Sequence, residues 1–404
     1  MLPPDGSSIQ SWKVSNGLYM GLSKPLGNGI KINLLLGYSF TQSPHENCLF
    51  IKHSTAGLLI FLVYVDDVLL TGPSEHQILD VKWFLDLEFT IKDMGLAKYF
   101  LGLEIAQCVA GLSITQHKYV QNIFQDTGLT SCRPASTHLP LAVKLSSHDT
   151  AALQDPSPYR YLVGRLLHLS FTRSDIVFCA QQLCQFVHQP GQVHMDATLH
   201  LVRYLKGNLE QGLFFPCSNS LHLIAFCDAD WAGCVDFERS LTGYFIFLGD
   251  AFISWKTKKQ LIVARSTDEA EYRSLATTIC ELQWISCLLH DLRVFPPTLI
   301  SVYYDNQAAI HIVANPIFHE QTKHIEIDCH LVRYKCKFCF ILPTHVSNKF
   351  QLVDVFMKQL PVSALWPFLS KLGLVFHSQI QIRGDVENAC LQFSYSTQSV
   401  ITRI

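Results

Sequence analysis

The chain has 404 residues, which is room for two or three domains. It is 49% hydrophobic and only 16% charged, which excludes a disordered or low-complexity protein. The formal net charge is −2, so a nucleic-acid partner has to be argued from local sites and not from overall charge.

The opening MLPPDGSSIQ has neither a basic stretch nor an apolar one, so no signal peptide is expected. An irregular start gives way to a strand-like run from Gly57, GLLIFLVYV, which meets Asp66 and Asp67 and continues as VLLTG. This most apolar stretch is too short, and too charged at its centre, to span a bilayer, so no membrane partner is expected. Helical periodicity follows over HQILDVKWFLDLEF, with Ile78, Val81, Phe84 and Leu85 on one face. Residues 131–150 are rich in Ser, Pro and Thr and read as a loop. A helical block runs from about Tyr159 to Leu209, and Pro216–Ser220 is the main boundary.

Beyond that boundary the pattern changes. LHLIAF (221–226) is a short strand, and TGYFIFLGDAFISWKTKK (242–259) is a two-stranded hairpin turning at Gly249-Asp250. Ser266–Glu269 is a capping box that opens a long helix with Leu275, Ile279, Leu282 and Leu289 on its apolar face. TLISVYY (298–304) is a strand, followed by a helix from Asn306 to Ala314. Further helices are expected at 324–335 and 350–359, with the strand FCFILP between them. This order of elements is an α/β (α+β) layer fold. The fourteen cysteines are scattered singly, as in a reduced intracellular protein.

Two constellations carry chemistry. Asp66 and Asp67 lie between two apolar runs, where adjacent carboxylates call for a divalent cation unless they sit on an exposed turn. The segment VYVDDVLLTG (63–72) resembles the YVDD active-site hairpin of Ty1/copia-type retrotransposon reverse transcriptases. CLFIKH (48–53), FTIKDMGLAKYFLGLEIA (89–106), YLVGRLLHLSFTRSDI (161–176) and RYLKG (203–207) resemble the same family in the same order. The resemblance implies that Asp66 and Asp67 are metal-binding catalytic residues of the polymerase, with a third carboxylate on an upstream strand. Asp5 is the only aspartate before Asp66. The expectation is an N-terminally truncated polymerase, without fingers or part of the palm, whose RNA-directed DNA synthesis is lost.

The second constellation is spread out. Asp228 follows an apolar strand, Glu271 shares a helix face with Leu275 and Leu282, Asp305 follows ISVYY directly, and Asp354 sits within FQLVDVFMK. Each alone reads as an ordinary polar residue or helix cap. Together, CDADWAGC, STDEAEYRSLA, YYDNQAAI and QLVDVFMKQLP resemble the ribonuclease H domain of the same Pol family. By that resemblance Asp228, Glu271, Asp305 and Asp354 are catalytic residues holding two Mg²⁺ (or Mn²⁺) ions. The fold implied is a mixed five-stranded sheet flanked by helices, and the activity is hydrolysis of the RNA strand of an RNA–DNA hybrid. Asp230 and Glu269 are the second choices within DAD and EAE. Val353, Val355 and Met357 depart from the family's usual ADIFTK.

Substrate contacts are expected from Lys258 and Lys259, in a basic segment with Lys256, Trp255 and Arg265, and from Asn306, Lys323 and His324. For each of these a solvated turn or a helix cap is an equal alternative. The spacing of His324, His330, Cys336 and Cys339 is too tight for a zinc finger, and the two cysteines are expected in the core.

The organisation expected is a truncated reverse transcriptase palm over 1–135, a helical thumb or connection over 136–215, a ribonuclease H-like domain over 216–361 and an irregular tail over 362–404. The partners implied are nucleic acid, above all an RNA–DNA hybrid, and other Pol fragments. The location implied is cytoplasmic or nuclear. Two readings compete with hydrolysis: a catalytically silent remnant, and a module that binds nucleic acid without cutting it.

Overall fold

A computed structural model describes residues 18–22, 35–65, 67–88, 91–140, 145–147, 151–297, 299–306, 326–365 and 375–376. The chain divides into two compact units. One comprises Met1–Ile114, Phe215–Asn219 and Trp284–Phe295, and the other Thr115–Phe214, Ser220–Gln283 and Pro296–Ile404.

The first unit opens with strands β1 (Leu18–Leu22), β2 (Thr41–Gln42), β3 (Leu49–Ser54), β4 (Gly57–Tyr64) and β5 (Asp67–Thr71). Helix α1 (Glu75–Glu88) and strand β6 (Ile91–Leu96) follow. The six strands form an antiparallel sheet in the order β2-β3-β4-β5-β1-β6. Alternation decides which face is covered: Leu59, Phe61 and Val63 of β4, with Val68 and Leu70 of β5, point to one side. Ile78, Val81 and Leu85, at helical spacing on α1, close the same core. Phe84 is only partly buried there, stacked on Tyr38 with ring centres 4.2 Å apart. Three short strands follow: β7 (Tyr99–Phe100), β8 (Leu103–Cys108) and β9 (Gly111–Thr115).

The second unit has a helical part and a sheet. Helix α2 (His117–Thr127) is followed by α3 (Ser157–Leu169), α4 (Val177–Cys184) and α5 (Gln192–Lys206). The helical block thus breaks into three pieces. A buried ion pair holds the first break. Arg173 donates to both oxygens of Asp175 (2.9 and 2.7 Å), while its third nitrogen reaches the carbonyl of Asn208 and Tyr204 donates to Asp175. Full hydrogen-bonding is what makes such a pair tolerable in the interior.

After β10 (Gln211–Pro216) come the sheet strands β11 (Leu223–Asp230), β12 (Leu241–Leu248) and β13 (Ala251–Lys259). Helix α6 (Thr267–Asp291) leads to β14 (Ile300–Tyr304), and α7 (Glu326–Lys337) leads to β15 (Ile341–His345). The order is β13-β12-β11-β14-β15. β11, β12 and β13 pair antiparallel, whereas β14 and β15 join in parallel, each after a crossover that includes a helix. This is the mixed five-stranded sheet expected, and the fold as a whole is mixed α/β. Rings of Phe226, Phe245, Phe252 and Phe356 stack across the core of this unit.

Several elements differ from expectation. The last strand is Ile341–His345, not FCFILP, because Phe338, Cys339 and Phe340 close the end of α7 with backbone bonds back to Tyr334, Cys336 and Lys335. Pro343 is tolerated because β15 is an edge strand. Cys339 has φ 53° at that turn and is exposed, so it is not a core residue. No helix spans 350–359. A short 3-10 turn occupies Leu352–Phe356, since Leu352, Val353, Val355, Phe356 and Met357 are all buried and leave no polar face for a surface helix. The expected helix from Asn306 to Ala314 lies outside the described residues beyond Asn306. In the tail, β16 (Val375–Phe376) pairs with β10 at Gln211 and Gly212. Among the described residues no helix is long and apolar enough to cross a membrane, and the cysteines are free thiols.

Candidate active site

Three acids meet in the second unit. Asp228 lies on β11, Glu271 on the first turns of α6 and Asp305 immediately after β14. One carboxylate oxygen from each lies within 4.8 Å of the others. Among the described residues no other group of three or more acidic, imidazole or thiol side chains meets so closely.

The surrounding structure fixes each acid. Ser274, one turn after Glu271, donates its hydroxyl to the carbonyl of Asp228 (2.7 Å), so helix and strand are tied at the site. Gln351 donates to the carbonyl of Cys227 (3.1 Å). The helix start is held by Ser266, whose hydroxyl accepts from the Glu269 amide (3.2 Å). Glu269 is itself buried and accepts from Arg273 (2.6 Å) and from the Arg265 amide (2.7 Å), so it serves the cap and not the cluster.

Asp228 and Glu271 are only 4% and 5% exposed. Burial, and then the charge of Asp305, raises the carboxyl of Asp228 above its ordinary range. Glu271 is raised further, by burial first and then by Asp228. The two carboxyls hydrogen-bond each other, which requires one of them to keep a proton. Burial and the charge of Asp354 raise Asp305 as well. A set of buried oxygen donors whose negative charges oppose one another fits a hard divalent cation, which relieves the repulsion that protonation otherwise has to relieve.

Asp354 lies next to this group without joining it. Its carboxylate accepts from Lys358, one turn on, at 2.6 Å. Its charge still acts on Asp228, Asp230 and Asp305, and so does that of Lys358. Asp230 is raised mainly by burial and borders a cavity of about 380 Å³ lined also by Gln182, Gln185, Cys234 and Lys358. Two glycines make this packing possible. Gly243 pairs with Asp228 across the sheet, and a Cβ there would come within 2.7 Å of Val353 and Met357, the residues that flank Asp354. A Cβ at Gly233 would strike the Asp230 carboxylate at 2.1 Å. The sequence reading passed over Gly243 and Lys358. The available signals were a glycine inside a strand and the i, i+4 spacing of Asp354 and Lys358.

The hairpin of the first unit is built differently. Tyr64 of β4 pairs with Asp67 of β5 across a two-residue turn. Val65 in that turn has φ 50°, a strained position for a β-branched residue. Tyr64 and Val65 are exposed, and Asp66 lies outside the described residues.

The expected substrate contacts divide in three. Lys258 is exposed. Lys259 is instead engaged, donating to Gln185 (3.1 Å) and lying over the Phe237 ring, and the indole N–H of Trp255 donates to Ser170 (3.0 Å). Asn306 donates its amide to Asp268 (2.9 Å). Lys323 and His324 lie outside the described residues. His330 is on α7 and pairs with Glu326, while burial raises the Cys336 thiol to about 11.

The sequence has relatives among known proteins. The family model for reverse transcriptase (RNA-dependent DNA polymerase) matches residues 1–141. An uncharacterized mitochondrial protein of Arabidopsis thaliana is 42% identical over 228 residues, which are 56% of this chain and 95% of that protein. The retrovirus-related Pol polyprotein from transposon RE1 of Arabidopsis thaliana is 38% identical over 342 residues, or 85% of this chain. The chain belongs to the Ty1/copia-type retrotransposon Pol polyproteins. This Pol chain spans 23% of the length of the RE1 polyprotein. A foamy viral protease-reverse transcriptase solved with an RNA/DNA hybrid is 12% identical, covering 83% of this chain and 44% of that one, at a TM-score of 0.43. At that score the likeness carries no weight beside the sequence relatives.

Proposed function

We propose that this Pol chain hydrolyses the RNA strand of RNA–DNA hybrids at the site formed by Asp228, Glu271 and Asp305, with Asp354 beside them. The observation that carries the reading is the meeting of three carboxylates from a strand, a helix and a strand end within 4.8 Å. Asp228, Glu271, Asp305 and Asp354 would hold two Mg²⁺ or Mn²⁺ ions. Bound there, the ions supply positive charge to a phosphodiester and lower the pKa of an attacking water. The protein's own residues do the rest. Ser274 fixes the backbone at Asp228, and Asp268 fixes the amide of Asn306 next to Asp305. Asp228 and Glu271 share a proton that a cation held there would displace to solvent. Lys358 balances the charge of Asp354.

The test is cleavage of an end-labelled RNA–DNA hybrid by the full chain in Mg²⁺ or Mn²⁺, beside Asp228→Asn. Metal-dependent cutting of the RNA strand, reduced in the variant by more than the ~100-fold that even outer partners of a metal site command, supports the reading. A folded chain that binds the hybrid but leaves it whole overturns it in favour of a binding module.

A further inference from the structure

Helix α7 ends in a pair of thiols that hybrid hydrolysis does not use. Cys336 lies in its last turn and Cys339 two residues beyond its end, in the order Cys-Lys-Phe-Cys. Three backbone bonds close the helix. The Phe338 amide donates to Tyr334 (3.1 Å), the Cys339 amide to Cys336 (3.0 Å) and the Phe340 amide to Lys335 (2.9 Å). The last two are the paired bonds of a Schellman cap, with Cys339 at the position that glycine ordinarily fills. Lys335 lies over the Phe340 ring, the side-chain contact that accompanies such a cap. Cys339 takes φ 53° there, a left-handed backbone that an L side chain disfavours. An outlier of this kind directs attention to what its side chain can do.

The same turn brings the two cysteines together. A turn closed by a bond from residue i+3 to residue i holds its end Cα atoms within about 7 Å, and a disulfide spans about 4.4–6.8 Å. Joining the sulfurs therefore calls on side-chain rotation and not on a rearranged backbone. The thiols differ in access, Cys339 being exposed and Cys336 half-buried. Burial raises the Cys336 thiol to about 11. Cys336 also acts on the ionisation of Tyr272 and Tyr304, which places it on the side of these buried phenols of α6 and β14. The Tyr304 hydroxyl is buried without a hydrogen-bond partner among the described residues, so it does not hold the Cys336 sulfur in place.

We propose that Cys336 and Cys339 are a modification site, a redox-active pair that a low-molecular-weight disulfide converts to an intramolecular disulfide. The exposed Cys339 reacts first. Its thiolate attacks one sulfur of the oxidant, forming a mixed disulfide and expelling one small thiolate. Cys336 then gives its proton to solvent, and its sulfur attacks the Cys339 sulfur and expels the second small thiolate. Two protein thiols are oxidised, one small disulfide is reduced to two thiols, and the two protons released are taken up by them. Burial and the negative end of the α7 dipole both disfavour a thiolate at Cys336. The reduced pair thus lacks the thiolate stabilisation that makes a disulfide easy to reduce, and the bond persists until a reductant is added.

The test incubates the full chain in native buffer with oxidised glutathione and a chelator, blocks the remaining thiols with N-ethylmaleimide and digests with trypsin without reductant. Trypsin cuts after Lys335, Lys337 and Lys349, so the bond is read by mass as Cys336–Lys337 joined to Phe338–Lys349. Wild type is expected to give this joined peptide as its main oxidised product, and dithiothreitol to abolish it. Cys339→Ser is expected to lose it, and Cys336→Ser to lose it while holding glutathione on Cys339. Cys280→Ser, which removes an exposed thiol on α6, is expected to behave as wild type. Thermal melts of the reduced variants that match wild type establish folding, and the wild-type peptide decides the matter without them. A wild type in which both cysteines remain free and become blocked overturns the inference. So does Cys339 joined to a second chain, or either cysteine joined to a third one, since the turn then does not select the pair.

Discussion

Asp66 and Asp67 are adjacent in the sequence, whereas Asp228, Glu271 and Asp305 reach one point from three elements. In the first case Asp67 opens β5 opposite Tyr64 and is half-buried, while Tyr64 and Val65 are exposed. In the second the carboxyls are removed from water, and burial is the largest cause of every upward shift among them. Such a buried cluster must keep a proton or take up a cation. Adjacency in sequence makes YVDD easy to see, whereas the second group is built by convergence from separate elements.

The largest expected effect breaks the comparison on activity. Asp228→Asn lowers hybrid cutting more than about 100-fold, while Asp67→Asn leaves it unchanged within twofold, as read by initial rates at fixed Mg²⁺. Equal losses in both would mean that the hairpin serves the same reaction.

The next effect is on packing. Gly243→Val forces the Val353 and Met357 side chains away from β12, because even a Cβ lies 2.7 Å from them. The cost expected is about 1–3 kcal/mol in denaturant unfolding. Cutting falls with it, because Asp354 moves with its neighbours. A stable Gly243→Val protein with full activity would show that Asp354 is not needed where it lies.

These effects mark the limits of what the primary structure discloses. Asp228, Glu271 and Asp305 are legible because each borders a strongly apolar strand or shares a helix face with core residues, and local periodicity reports that. Gly243 and Lys358 are not, because their importance comes from a segment more than a hundred residues away in one case and from a pairing across the end of a 3-10 turn in the other. Leu352–Phe356 misleads since an all-round buried apolar run has no period to read. Lys259 misleads for a related reason: its partner Gln185 comes from helical sequence far upstream. The five-stranded sheet was legible strand by strand, but its order, with β11 at the centre, follows from pairing that no single segment encodes.

A third expectation concerns pH without metal. Asp228 and Glu271 have folded-state pKa values above those of the unfolded chain. Their contribution is therefore intact below about pH 4 and is lost as pH rises through the raised values, because the unfolded state releases protons first. In chelator, Asp228→Asn is expected to be more stable than wild type by about 1 kcal/mol or more at pH 8, with the gap closing toward pH 4. Mg²⁺ should stabilise wild type and not the variant. Thermal melts at pH 4.5, 6.5 and 8, with and without Mg²⁺, decide this. A gap independent of pH would mean that the cluster's charges are already balanced.

The smallest effect belongs to the hairpin. Val65 holds a left-handed backbone, φ 50°, that its branched side chain disfavours, and Asn tolerates that conformation far better. Val65→Asn is expected to raise stability by about 1 kcal/mol in urea unfolding, with no change in hybrid cutting. The contrast with Asp228→Asn is what gives the result meaning. Both substitutions stabilise the metal-free chain at pH 8, one by removing backbone strain and the other by removing buried charge. Only the second costs activity. If Val65→Asn also lowered cutting, the strained turn would contribute to the reaction.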